Sequence, residues 1–113
     1  MTEDPLLKID VLHHKGTPVV RLCGELDMSN VHRLREAFES LGAANEAPIV
    51  DASELAFIDS AGLNAIATFA RKTIESNAPF YLIVTRPTIR KLFSITRLDE
   101  YLTIVGSLEE VVA

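Results

Sequence analysis

Near the start of the chain, in "LLKIDVLHH", Leu7, Ile9 and Val11 alternate with Lys8 and Asp10, the two-residue period of a half-buried strand. "HKGTP" supplies turn chemistry, and "VVRLCGEL" (Val19 to Leu26) resumes the apolar run, so the short connection predicts an antiparallel hairpin. The period then changes. Val31, Leu34, Phe38 and Leu41 recur at helical spacing, with Ser29 or Asn30 as candidate N-cap and Gly42 as candidate C-cap. "APIVDAS" (Ala47 to Ser53) predicts a short strand. A second amphipathic helix follows within "FIDSAGLNAIATFARKTIES", its apolar face made by Leu63, Ile66, Ala67, Ala70 and Ile74. "FYLIV" (Phe80 to Val84) is apolar without alternation, which predicts a central strand covered on both faces. Pro87 stands near a helix start, and Ile89, Leu92 and Phe93 form one stripe behind it. "LTIVG" and "LEEVVA" predict a last short strand and a terminal helical turn. A hairpin followed by alternating helices and strands predicts an α/β fold with a mixed sheet of four to five strands, its parallel strands joined by right-handed crossovers.

The 113 residues have room for one hydrophobic core, so 1–113 is read as a single domain. A net charge of -5 and the lack of a basic stripe disfavour direct nucleic-acid binding, which needs clustered Lys and Arg against phosphate. Cys23 is the only cysteine; an intrachain disulfide is excluded, and a buried thiol in a reducing compartment is expected. "MTEDPLLKID" lacks the apolar core of a signal peptide and no apolar stretch approaches membrane-spanning length, so a cytoplasmic protein without membrane insertion is expected. Catalysis finds little support. A serine hydrolase needs a general base, and the histidines fall in a turn (His13, His14) or on the polar side of the first helix (His32). Adjacent histidines on a strand point to opposite faces, which disfavours a metal site. A receiver domain would need an acidic cluster for Mg²⁺, whereas Asp10 is alone in mid-strand, and "GTPVVRLCG" is no phosphate loop. A non-enzyme without a cofactor is expected.

Asp59-Ser60-Ala61-Gly62 admits two readings. Ser60 or Asp59 can cap the second helix by accepting the N–H of Gly62 or Leu63, and a carboxylate is favoured at that end of the macrodipole. Gly62 lowers helix propensity by about 1 kcal/mol relative to Ala, which points to a steric use: without a Cβ it lets another backbone, or a partner, come close. The other reading is a switch. A serine hydroxyl at an exposed helix start can be phosphorylated, which adds about -1.5 to -2 charges beside Asp59 and weakens a partner packed there while the fold survives.

The blocks "GELD" (Gly24 to Asp27), "FIDSAGL" (Phe57 to Leu63), "RPTIRKLF" (Arg86 to Phe93) and "RLDEYLTIVGSLEEVV" (from Arg97) together resemble the STAS domain, in particular bacterial anti-sigma factor antagonists. The resemblance covers nearly the whole chain. It implies partner switching: the unmodified antagonist binds an anti-sigma factor that is also a serine kinase and so frees a sigma factor. ATP-dependent phosphorylation of the serine after the aspartate, here Ser60, then abolishes binding, and a serine phosphatase resets the cycle. The resemblance marks Asp27 as an acidic residue near the partner surface and Asp59 and Gly62 as the motif around the acceptor. Asn64 and Arg97 depart from the pattern, both at positions often occupied by Gly in the family. The alternative within the same fold is an interaction module of a sensory assembly or a transporter complex, with no sigma factor involved.

Overall fold

The computed structural model describes residues 6–44 and 46–111. Alternation in the first segment yields β1 (Leu7–His14), which pairs antiparallel with β2 (Thr17–Leu26) from Leu7↔Gly24 to His14↔Thr17. Lys15 and Gly16 link them with φ 53° and 83°, the two-residue turn of positive φ whose twist suits a hairpin. His13 and His14 therefore end β1 rather than lying in the turn.

Beyond the hairpin the chain runs α1 (Val31–Ala43), β3 (Ile49–Ile58), α2 (Ser60–Glu75), β4 (Tyr81–Ile83), α3 (Pro87–Ile95) and β5 (Thr103–Val105), with 3-10 turns at Leu98–Glu100 and Leu108–Glu110. The last of these occupies the expected terminal turn, whose Val112 and Ala113 lie outside the described residues. The sheet order is β1-β2-β3-β4-β5, with β2 through β5 parallel, so the class is α/β with a mixed five-stranded sheet. β4 is interior, as expected of an apolar run, but the middle strand is β3.

Burial explains that arrangement. One pleat of the sheet (Val20, Leu22, Val50, Ala52, Leu82) joins Val31, Leu34 and Phe38 of α1, Leu63, Ile66 and Ala70 of α2, and Ile89 and Phe93 of α3 in the main core. Alternate residues Val19, Ile49, Ile83 and Val105 form a smaller cluster on the other face, under Leu108 and Val111. β4 is thus apolar on both faces because both are covered.

Several expectations are corrected. β3 continues past Ser53 to Ile58 because register shifts against β2 break the two-residue period: its core residues after Ala52 are Leu55 and Ile58, three apart. Gly42 lies inside the last turn of α1, and Ala44 takes the cap position. On α2, Ala65 and Thr73 are buried, while Ile74 is 41 % exposed. Thr73 satisfies its hydroxyl on the Phe69 carbonyl (2.9 Å), which lets a polar residue replace the expected apolar one. The Cys23 thiol is exposed rather than buried, because Cys23 follows Leu22 onto the face opposite the helices.

Arg97, in the Gly-like position after α3, has φ 63° and ψ 17°. A Cβ in this left-handed region costs about 1 kcal/mol. Arg97→Gly is expected to raise the thermal midpoint by about 4 °C in a calorimetric scan. Arg97→Ala keeps the Cβ and should give no such gain, which separates backbone strain from loss of the side chain.

Candidate functional site

β2 and β3 run parallel and end together at Leu26↔Ile58, so the segments that follow them meet at the C-terminal end of these two inner strands. The Asp59 N–H donates to the Leu26 carbonyl (3.2 Å), extending that pairing one step beyond β3. Asp59 is extended, with φ -105° and ψ -174°, and its carboxylate Oδ1 accepts the Gly62 N–H at 3.0 Å. Its carbonyl accepts the Leu63 N–H at 3.0 Å. Asp59 is therefore the N-cap of α2, and the capping role open to either residue in the sequence belongs to it alone. Ser60 is the first helical residue, is exposed, and its hydroxyl has no hydrogen-bond partner among the described residues.

Gly62 is buried in the same turn. A Cβ there would stand 2.8 Å from Ile58 Cγ1 and 2.9 Å from Leu26 Cγ and Cδ2, closer than packed carbons tolerate. What comes close at this glycine is the protein's own core, the ends of β2 and β3. The absent side chain lets α2 begin directly over those strand ends.

The loop after β2 is held just as locally. Asp27 Oδ1 accepts both the N–H (2.9 Å) and the Oγ–H (2.6 Å) of Ser29. The Asp27 carbonyl accepts the Val31 N–H at 2.9 Å and so starts α1. Asn30 occupies the N-cap position of α1 but makes no capping bond through its side chain. Instead its Oδ1 accepts the Asp27 N–H (2.9 Å) and its Nδ2 donates to the Glu25 carbonyl (3.0 Å), folding the loop back on itself. Asn30 is 1 % exposed. Sequence reasoning named it only as a cap; the polar side chain just ahead of an apolar helical stripe carries no signal that it binds backward.

These two segments touch. Asp59 Oδ2 accepts the Met28 N–H at 3.1 Å, so one carboxylate holds the start of α2 with one oxygen and the Asp27 loop with the other. The structure thus brings Asp27, Asp59, Ser60 and Gly62 together beyond the C-terminal ends of β2 and β3, Asp59 and Gly62 supporting from within and Ser60 exposed. Met28 is 78 % and Phe57 48 % exposed, so two large apolar side chains stand on the segments flanking Ser60. Asn64, one helical turn after Ser60, is exposed as well.

His13 and His14 lie at the opposite end of the hairpin, paired with Pro18 and Thr17. Among the described residues the His32 side chain makes no hydrogen bond and no ion pair. Among the described residues no group of three or more His, Cys, Asp and Glu is placed to hold a metal ion, and no helix is long and apolar enough to cross a membrane.

Comparison with known proteins agrees with this architecture. The family model of the STAS domain matches residues 8–111. The anti-sigma-F factor antagonist RsfB of Mycobacterium tuberculosis is 25% identical over 111 residues, covering 97% of this chain and 90% of that protein. The crystal structure of an anti-sigma factor antagonist from Mycobacterium paratuberculosis superposes with a TM-score of 0.86 at 26% identity, over 96% of this chain and 94% of the other. The Bacillus cell fate determinant SpoIIAA, solved in its phosphorylated form, shares the fold with a TM-score of 0.68 at 24% identity, over 92% of this chain and 94% of that one. With its hairpin-led mixed sheet and its match along nearly the whole sequence, the chain belongs to the STAS domain family.

Proposed function

We propose that this protein is an anti-sigma factor antagonist that works by partner switching, with Ser60 as the phosphorylated residue. The observation that carries this reading is the division of labour at the start of α2: Asp59 caps the helix, and the Ser60 hydroxyl is left exposed and uncommitted. A serine that capped the helix would have to give up that bond to react; this one gives up nothing. In the unmodified state the Asp27 loop and the Ser60 turn form the docking face for an anti-sigma factor that is also a serine kinase. Within that complex the kinase transfers the γ-phosphoryl group of ATP to Ser60 Oγ; the hydroxyl proton leaves, and ADP is released. A serine phosphatase returns the chain to its first state by hydrolysing the ester to serine and inorganic phosphate.

The same physics gives the switch its direction. The phosphate carries about -1.5 to -2 charges and sits beside the Asp59 carboxylate, so a partner packed on this face must desolvate or repel it. A hundredfold loss of affinity needs only about 2.7 kcal/mol. Asp59 takes the Gly62 and Leu63 N–H groups, and the remaining N–H groups of the first turn, those of Ser60 and Ala61, together with the helix dipole favour the phosphate, so the fold tolerates the new charge. This chain is ligand and substrate in turn. Its place of action in this reading is the cytoplasm, and it contacts neither nucleic acid nor the membrane.

Mass spectrometry after incubation with ATP and an anti-sigma factor kinase tests the assignment. One phosphate on Ser60 is expected, and none on the Ser60→Ala variant. Phosphate placed on another residue would remove Ser60 as the acceptor. Asp27→Ala should weaken the complex with the unmodified chain by about tenfold in a titration, equivalent to about 1.4 kcal/mol. Unchanged affinity would take Asp27 out of the docking face.

A further inference from the structure

The Asp59 carboxylate spans two segments that are 31 residues apart in sequence, accepting Gly62 N–H at 3.0 Å on Oδ1 and Met28 N–H at 3.1 Å on Oδ2. We propose that Asp59 is a positioning residue that locks the Asp27–Ser29 loop to the Ser60 turn and so presents them to the partner as one rigid face. This rests on the reading of that face as the anti-sigma factor docking surface.

The geometry leaves Asp59 little else to do. Both oxygens are engaged by backbone donors, and its own N–H and carbonyl are bonded to Leu26 and Leu63. Within residues 25 to 31 the loop is shaped by bonds from Ser29 to Asp27, from Asp27 to Asn30, and from Asn30 to Glu25. Those bonds set the shape of the loop but say nothing of where it sits relative to Ser60. The Met28 N–H bond to Asp59 is the described hydrogen bond that joins residues 27–29 to the turn containing Ser60. Without it the loop stays tethered at its start, where the Leu26 carbonyl accepts the Asp59 N–H, but its tip at Met28 loses its registration on the Ser60 turn. A partner that reads Asp27 and Ser60 together would then have to order the loop as it binds.

Asp59→Asn separates this role from capping. Asparagine caps a helix about as well as aspartate, but its amide has one oxygen, and the nitrogen cannot accept from Met28. The variant is expected to keep its thermal midpoint within a few degrees, to retain protection at the Gly62 amide, and to exchange the Met28 amide about tenfold faster by NMR. Its affinity for the anti-sigma factor should fall about tenfold. The decisive readout is a double-mutant cycle with Asp27→Ala. If Asp59 acts through the loop, Asp27→Ala costs about tenfold in the parent and less than about threefold in Asp59→Asn. Additive losses would mean that Asp59 touches the partner itself and would overturn the proposal, as would a protected Met28 amide or unchanged affinity. A parent chain that binds no anti-sigma factor defeats the proposed function instead, and the exchange measurement then decides the lock by itself.

Discussion

Gly24→Ala is expected to destabilise the protein by about 3 kcal/mol, lowering the thermal midpoint by about 15 °C. Gly24 has φ 109°, a conformation that L side chains rarely adopt, and an added Cβ would collide with the Leu6 carbonyl oxygen. That carbonyl accepts the Glu25 N–H at 2.7 Å, so the collision also displaces a hydrogen bond at the end of the β1–β2 pair. The effect exceeds that of an ordinary surface substitution because the added Cβ, fixed to the backbone, meets a backbone carbonyl, and neither can rotate away as a longer side chain would. It also bears on the docking face. A register shift between β2 and β3 falls at Gly24/Glu25, just before β2 delivers the chain to Asp27. Thermal unfolding measures the loss, and a midpoint within about 3 °C of the parent would show that the strand edge relaxes at little cost.

Ser60→Asp should weaken anti-sigma factor binding by about tenfold and leave the melting curve close to that of the parent, since a carboxylate at the first helical position is favoured by the helix dipole. Phosphoserine at the same place, with about twice the charge and greater bulk, is expected to cost about a hundredfold. Ser60→Ala should bind as the parent does and stay bound in the presence of ATP. The exposure of Ser60 and the use of Asp59 as cap together predict this split between binding and stability. Had Ser60 capped the helix, Ser60→Ala would cost about 1 kcal/mol of stability; here it should cost almost nothing. Calorimetric titration beside thermal melts resolves the two effects, and an alanine variant that loses stability would contradict the described cap.

The fold was legible where local chemistry and tertiary packing agree. The hairpin follows from alternation either side of a short turn, and α1 from Val31, Leu34, Phe38 and Leu41, all of them buried. Pro87 opens α3 at the position where its missing N–H costs nothing, and Arg97, at a position often occupied by Gly in the family, has left-handed backbone. What stayed hidden depends on partners distant in sequence. The second half of β3 reads poorly because its irregular register against β2 replaces alternation with a spacing of three. The burial of Ala65 and Thr73 in place of Ala67 and Ile74 reflects the angle at which α2 rests on the sheet, which a helical wheel leaves free.

The candidate site was legible as a motif and not as a mechanism. Asp59-Ser60 announces a helix start, yet the choice of which residue caps it is made by the path of the chain: Asp59 is still extended and pinned to Leu26, so its carboxylate reaches Gly62 and leaves the hydroxyl outside. Gly62 signalled a close approach without saying of what, because Leu26 arrives from another strand. The bond from Met28 to Asp59 crosses 31 residues and leaves no trace in local pattern.

The most direct measurement is the affinity of the cognate anti-sigma factor for two preparations of this chain, one unmodified and one fully phosphorylated on Ser60, each with its fold verified by thermal unfolding. The account predicts a loss of about a hundredfold on phosphorylation with the cooperative melt retained. Equal affinity of the two forms, or a phosphorylated chain that no longer folds, would contradict it.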